Sequence, residues 1–373
     1  MRSILAMPSN LEEGTQMEKD VQNNPKKRKT SRRKRQRRKI IIVVVIVLLA
    51  LIMIPIAFSW SKYEKMGKVV INDKDVKINE LSPETEKVMK EYENIALFGL
   101  DNRDMGSLER GNSDTIIVVS INKDSGEIKM ASVYRDTYLD IDENKFRKAN
   151  AAYANGGPKQ AIDMLNKNLD LNITDYVSVD FSALVEAVDL LGGIDIDKLE
   201  PDEAKWLNAY VTDTVENTGY EEYVPPVSAG ENVHLNGIQA TAYARIRYVG
   251  LDYGRTERQR TVITKMFEKA KQCDLLTLNK MMDQMLPQIS TSLSPTELLS
   301  LASGVAKYHM GENTGFPFDK ESGDVGSLGD MVIPLDLESN VIKLHQFLYS
   351  NEEYTPSQTV KDLSATIHAN TGR

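Results

Sequence analysis

A single cysteine, Cys273, stands among 373 residues, so no internal disulfide can staple the chain and a packed core must hold it together. Four histidines, His234, His309, His345 and His368, share no metal-ligand spacing, and no HExxH pair occurs. A GxSxG elbow and a Walker loop are both missing. These absences set aside zinc hydrolases, esterases of the nucleophile-elbow type and P-loop nucleotidases. Gly192-Gly193 follows a helical pattern and reads as a turn, not a phosphate cradle. No internal repeat is visible, and only the N-terminal tail is low in complexity.

Charge is abundant but segregated. Residues 1–39 hold 13 Lys/Arg against 4 Asp/Glu, a net of +9; the total of −8 then leaves −17 for everything after residue 39. Between these parts, Ile40 to Phe58 carries no charge and is almost wholly Ile, Val, Leu, Ala and Met. About 20 apolar residues span a bilayer core as a helix. Trp60 and Tyr63 follow at headgroup level. The run is too long and too late for a cleaved signal, and Phe58-Ser59-Trp60 is a poor cleavage site. The expected organisation is a basic cytoplasmic tail over 1–39, one transmembrane helix over 40–60 and a stalk over 61–90. An outer domain over 91–350 and a C-terminal tail over 351–373 complete it. Basic residues beside a span set topology and meet anionic lipid, so no nucleic-acid partner is expected. The localisation implied is a single-pass membrane protein with its main domain outside the cell.

In the outer domain, Asn94–Leu100, Asp114–Ile121 and Glu127–Val133 read as strands, the last two joined by the tight turn Asn122–Gly126. Tyr176–Phe181 and Met331–Leu335 are further strands. Helical spacing marks Pro158–Asn168, Ala183–Leu191, Gly237–Ala244, Thr256–Lys271, Leu276–Leu286, Pro295–Tyr308 and Leu337–Tyr349. Strands interleaved with helices predict an α/β fold, a mixed central β-sheet flanked by helices. The methionines Met281, Met282 and Met285 read as core rather than as a lipid groove. Tyr153 and Tyr243 read as core or pocket wall.

Three short motifs then carry aspartate, two of them with arginine: Asp101-Asn102-Arg103, Ser113-Asp114-Thr115 and Tyr134-Arg135-Asp136. If the first three strands pair antiparallel in sequence order, all three motifs reach one sheet edge, where ligands of open α/β sheets bind. A second group follows: Arg245, Arg247, Asp252, Arg255, Arg258, Gln259 and Arg260. Arg255, Arg258 and Gln259 share one helical face near a helix start, whose free N–H groups favour phosphate. Arg245 and Arg247 share a face only if the backbone between them is extended. Asp252 either orients these arginines or caps the helix. Arginine forks match phosphate oxygens, and aspartates suit a hard divalent cation. The bland alternative is a set of surface ion pairs.

Taken in order, NIALFGLDNR, SDTIIVVSIN, SVYRDT, KANAAYANGG, DYVSVDF, DLLGGIDI and LNGIQATAYARIRY…DYGRTERQR resemble the LytR-CpsA-Psr family of cell-wall glycopolymer ligases. The resemblance covers about 94–270, and later elements to about 350 fit its domain end. It implies transfer of an anionic glycopolymer, wall teichoic acid or capsular polysaccharide, from a polyprenyl pyrophosphate carrier to peptidoglycan. It implies Mg²⁺ (or Mn²⁺) held by Asp101 and Asp114. The pyrophosphate would meet Arg103, Arg135, Lys148, Arg245, Arg247, Arg255, Arg258 and Gln259. Tyr134 stands where the family commonly has proline. The catalytic group expected is Asp101, Arg103, Asp114, Arg135, Asp136 and Asp252, with Asp136 or Asp252 as base. A carrier lipid also needs an apolar slot between sheet and helices. Two rivals remain open: hydrolysis of the same pyrophosphate, and a non-catalytic membrane regulator of envelope genes.

Overall fold

Alternation of apolar side chains along three neighbouring strands builds the centre of the molecule. A computed structural model describes residues 71, 75–100, 108–220 and 223–373, all within the compact unit Phe58–Arg373. The tail, the apolar run 40–58, Asp101 and Arg103 lie outside the described residues. Among those described, no helix is long and apolar enough to cross a membrane.

The elements run α1 (Pro83–Met89), β1 (Tyr92–Leu100), β2 (Ser113–Asn122), β3 (Glu127–Val133), β4 (Tyr138–Asp140) and β5 (Phe146–Lys148). There follow α2 (Ala151–Leu169), β6 (Asp175–Val179), α3 (Phe181–Leu190), β7 (Ile194–Leu199), α4 (Pro201–Thr218), β8 (Gly230–Leu235) and α5 (Gly237–Arg245). Then come α6 (Leu251–Ala270), α7 (Leu275–Met285), β9 (Ile289–Thr291), α8 (Pro295–Gly304) and β10 (His309–Phe316). The chain closes with β11 (Lys320–Asp324), β12 (Asp330–Pro334), α9 (Leu337–Tyr349) and α10 (Gln358–Thr371).

Six strands form one sheet in the order β10-β3-β2-β1-β6-β9. β1 pairs antiparallel with β2 and parallel with β6, and β2 pairs antiparallel with β3. The sheet is therefore mixed, with helices on both faces. Phe98, Leu100, Ile116, Val118 and Val133 point to one face and pack with Ile162 and Leu165 of α2 and Leu344 and Leu348 of α9. Ile95, Ile117, Val119 and Met130 point to the other, against Ile263 and Phe267 of α6 and Leu298 and Leu301 of α8. This is the period-2 pattern of strands buried on both faces. A third cluster joins the antiparallel pair β7 and β8 to α4 and α5 through Ile194, Ile196, Leu207 and Ala240.

Two expectations change. The helix predicted over Pro295–Tyr308 ends at Gly304, and His309–Phe316 becomes an edge strand parallel to β3. Its sequence, HMGENTGF, is polar and only partly covered, so hydrophobic periodicity does not reveal it. The segment 351–373, set apart as a tail, folds onto the domain. Ser357 caps α10 by accepting from the Val360 amide, and Val360, Leu363 and Ile367 are buried. Asp170 ties this segment down, accepting hydrogen bonds from Tyr354 Oη at 2.6 Å and from the Ser357 amide and hydroxyl at 2.7 Å each.

Candidate active site

The antiparallel register decides where the first motifs meet. Leu100 pairs with Ser113 and Ile117 with Ser132, so the start of β2 and the segment after β3 share one sheet edge. Asp114 opens β2 there, and Arg135-Asp136 leave β3 there. Arg135 Nη1 donates to both Asp114 carboxylate oxygens at 2.9 Å, while its Nε donates to Asp252 Oδ2 at 3.2 Å. Lys148, on β5, approaches Asp136 Oδ1 at 3.1 Å. The predicted convergence of these two motifs is present; Asp101 and Arg103 belong to the undescribed stretch just after Leu100.

The second group arrives from a break in the helices. α5 ends at Arg245 because Ile246 turns extended (φ −56°, ψ 126°). That turn sends Arg247 to Asp114, its Nη2 donating to Oδ2 at 2.9 Å. Gly250 (φ 72°) and Leu251 (φ 54°) then take left-handed conformations and start α6. The helix thus begins at Leu251, earlier than the expected Thr256, and Asp252 sits in its first turn with its carboxylate on arginines rather than on a backbone cap. Gly254 leaves room for the turn: a Cβ there would lie 2.6 Å from the Val249 carbonyl oxygen. Arg255, nearly buried, donates from Nη2 to the Asp114 carbonyl at 2.9 Å and stands 3.5 Å from both Asp114 Oδ2 and Asp252 Oδ1.

Three guanidinium groups therefore surround the Asp114 carboxylate. Counting Lys148 as well, four cations face the three carboxylates Asp114, Asp136 and Asp252. Burial works against the Arg135 charge, but Asp114 and Asp252 outweigh it and hold the group above its ordinary value. At Arg255 burial dominates and lowers the value, opposed by Asp252. A cluster with surplus positive charge in a partly dry setting is suited to an added anion.

The other arginines of this stretch meet protein groups, among them Arg245 and Arg258, which were expected at the phosphate. Arg258 Nη1 donates to Glu203 Oε1 at 3.1 Å, and its Nη2 donates to the Ile246 and Val249 carbonyls at 2.7 Å each. It clamps the α5–α6 turn. Arg245 pairs with Asp213 at 2.6 Å and Thr214 Oγ1 at 2.9 Å on α4, and lies over the Phe181 ring. Arg260 Nε donates to Asn313 Oδ1 at 2.7 Å on β10. One helical face at the level of sequence spacing thus serves several different targets.

Beside the cluster lies an apolar cavity of about 260 Å³ between the sheet and α3, α6 and α7. Leu97, Ile117, Val179, Phe181, Ala187, Val262 and Met285 line it, with Thr115 and Gln259 among its few polar members. Met285 is thus cavity wall, not only core. Asp114 and Thr115 are consecutive, one in the charge cluster and the other in the cavity wall. Arg255 and Gln259 repeat that arrangement one helical turn apart. Gln259 Oε1 is buried with no hydrogen-bond partner. Gly99 also lines the cavity, and its missing Cβ would fall 2.8 Å from Thr115 Cβ. The sequence pointed to Gln259 but not to Phe181, Glu203 or Gly99. Glu200-Pro201-Asp202-Glu203 carried a readable helix-start signal, yet nothing in it names Arg258 as partner.

No group of three or more His, Cys, Asp or Glu side chains is gathered as a metal site among the described residues. Asp114 supplies one hard carboxylate whose two oxygens are engaged by arginine.

Comparison with known proteins adds the relatives. The LytR_cpsA_psr family model matches residues 58–314. A protein of Enterococcus faecalis, the polyisoprenyl-teichoic acid–peptidoglycan teichoic acid transferase TagU, is 36% identical over 183 residues, 48% of this chain and 54% of the relative. Biofilm regulatory protein A of Streptococcus mutans is 35% identical over 189 residues, 47% of this chain and 43% of the relative. The chain spans about half the length of these curated relatives. The crystal structure of protein gbs0355 from Streptococcus agalactiae shares the fold, with a TM-score of 0.57 and 23% identity over 74% of this chain and 94% of that one.

Proposed function

The chain belongs to the LytR_cpsA_psr family, and from that premise we propose that it transfers a phosphate-linked anionic glycopolymer from a polyprenyl pyrophosphate carrier to a peptidoglycan hydroxyl. The observation that carries this reading is the junction at Asp114: three guanidinium groups around one carboxylate, directly beside an apolar cavity. A lipid pyrophosphate needs both halves, a greasy slot for the prenyl chain and fixed positive charge for the diphosphate. The name of the TagU relative, a teichoic acid transferase acting on peptidoglycan, supports the substrate class.

In this reading the acceptor oxygen attacks the phosphorus next to the glycan, and the bond to polyprenyl phosphate breaks. Arg135 and Arg255 stabilise the charge that grows on the phosphoryl oxygens and the leaving phosphate, while Arg247 holds the donor diphosphate. Each such donor is typically worth a factor of about 10²–10³ in rate. Asp136 or Asp252 takes the acceptor proton. Asp114, an oxygen ligand, suits Mg²⁺ or Mn²⁺, with Asp101 as the second carboxylate; the ion would neutralise diphosphate charge. The apolar run 40–58 is the proposed anchor, keeping the domain on the outer face of a bacterial membrane.

The test incubates the full chain in detergent with Mg²⁺, a glycan-pyrophosphate-polyprenol and peptidoglycan strands. The expected products are polyprenyl phosphate and a covalent glycan–phosphate–peptidoglycan adduct. Polyprenyl release with only free glycan phosphate identifies a hydrolase. No release, with or without acceptor, removes the enzymatic reading and favours a regulatory role of the kind the name of the S. mutans relative describes.

A further inference from the structure

On the other flank of the charge cluster runs a polar groove of about 410 Å³. One wall is Asp136, Arg247, Asp252 and Tyr253; the other is Ser322 and Asp330–Val332 of the β11–β12 hairpin. Building on the transferase reading above, we propose that this groove binds the acceptor glycan, and that the hairpin is its specificity-determining wall. The hairpin lies beyond residue 314, where the family match ends.

Three observations carry the assignment. First, the hairpin is locked in register with the site. The Val332 amide donates to the Asp136 carbonyl at 2.9 Å, and Val332 bridges Thr137. Tyr253 Oη and Ser322 Oγ lie 3.3 Å apart across the groove. Lys320 Nζ sits over the rings of both Tyr134 and Tyr253, at 5.1 and 4.8 Å from their centroids.

Second, the groove offers carboxylate oxygens to a neutral partner. Asp136 and Asp252, which the cations of the cluster also hold, line it together with Asp330 and Arg247. Sugar hydroxyls and amides can donate to those oxygens. Third, Leu251 also lines the groove; it is 70% exposed and holds φ 54°. A left-handed conformation is disfavoured for a non-glycine residue. Here it projects an apolar side chain into the groove, where the C–H face of a sugar ring would cover it.

The acceptor hydroxyl then enters beside Asp136 and Asp252, the two carboxylates shared by groove and cluster. Its oxygen forms the new bond to phosphorus, and its proton passes to one of those carboxylates. Polyprenyl phosphate departs with the electron pair of the broken P–O bond.

Ser322 and Asp330 are exposed on the hairpin, so Ser322→Trp and Asp330→Lys fill or recharge the groove without touching the core. With short uncross-linked peptidoglycan strands as acceptor, each variant should raise the acceptor KM at least tenfold. Donor affinity and release of polyprenyl phosphate to water should stay within twofold of the unaltered chain. Unchanged acceptor KM in both variants overturns the groove assignment while leaving the transferase reading intact. If the unaltered chain neither transfers nor releases, the transferase reading fails by itself. Calorimetric binding of the same strands then judges the groove: tenfold weaker binding in both variants supports it, and equal binding overturns it.

Discussion

Arg255 and Arg258 stand one turn apart on the same helix, and both are nearly buried, yet they do different work. Arg255 faces Asp114 and Asp252 at the sheet edge, in a cluster with a surplus cation. Arg258 is held by Glu203, which balances its charge, and by two backbone carbonyls. The first environment has positive charge left over for a ligand; the second is closed. Burial and arginine content are equal in the two places, so they do not mark a binding site. What separates them is whether the partners cancel the charge.

The largest effect expected on this basis is at Arg135, the residue that bridges Asp114 and Asp252. Arg135→Ala should lower polyprenyl phosphate release about 10³-fold, as loss of a central transition-state donor does. Asp114 and Asp252 keep Arg255 near them, so the thermal midpoint should move little. A fall of less than tenfold would take the Asp114 cluster out of the chemistry.

Arg258 should behave in the opposite way. Arg258→Ala strands Glu203 and the Ile246 and Val249 carbonyls, and breaking a buried charged pair costs about 3–5 kcal/mol. Calorimetry should show the midpoint falling by on the order of 10 °C for a domain of this size. Activity per folded molecule should hold. Arg258→Lys should rescue little, because a point ammonium cannot reproduce a fork that serves both a carboxylate and two carbonyls. A stable but inactive Arg258→Ala variant would erase the distinction between the two arginines.

That distinction also marks how far the sequence could be read. The β-branched runs of β1, β2 and β3 and the tight turn at Asn122–Gly126 were legible, and with them the sheet edge where Asp114 meets Arg135. Strand order alone dictates that meeting, so no tertiary information was needed. The arginines of 245–260 were legible as a group but not by destination. Arg245 and Arg247 part company because of a backbone break at Ile246, and Arg258 turns inward because Glu203 of α4 awaits it. Helix α4 and the paired strands β7 and β8 that flank it in the chain were not anticipated. The edge strand β10 was missed for a different reason: half-exposed strands lack the apolar periodicity that announces buried ones. The acceptor-side groove depends on the β11–β12 hairpin, whose polar residues acquire meaning only once Val332 is seen pairing beside Thr137.

Arg247 sharpens the comparison at intermediate size. Its side chain is 44% exposed, so it holds Asp114 with one edge and offers the other to solvent. Arg247→Gln should raise donor KM about tenfold with kcat less affected, and the midpoint should shift by no more than about 2 °C, as for a partly exposed ion pair. Steady-state kinetics at two salt concentrations checks this, because the unaltered chain should lose more donor affinity to salt than the variant.

The smallest effect should come from Gln259, where the cavity and the cluster touch. Its Oε1 is buried without a partner, a condition that typically costs about 1–3 kcal/mol. Replacing it by leucine removes that unmet polar atom and adds apolar lining, so Gln259→Leu should leave the fold as stable or raise its midpoint slightly. If the amide is kept because it meets the polar head of the prenyl diphosphate, the same variant should bind donor a few-fold more weakly. Opposite signs for stability and affinity are the diagnostic result, read by thermal unfolding with and without a short-chain prenyl pyrophosphate. A variant that gains stability and also binds as well as the unaltered chain would show that the headgroup is held entirely on the arginine side, and would move the boundary between slot and cluster away from Gln259.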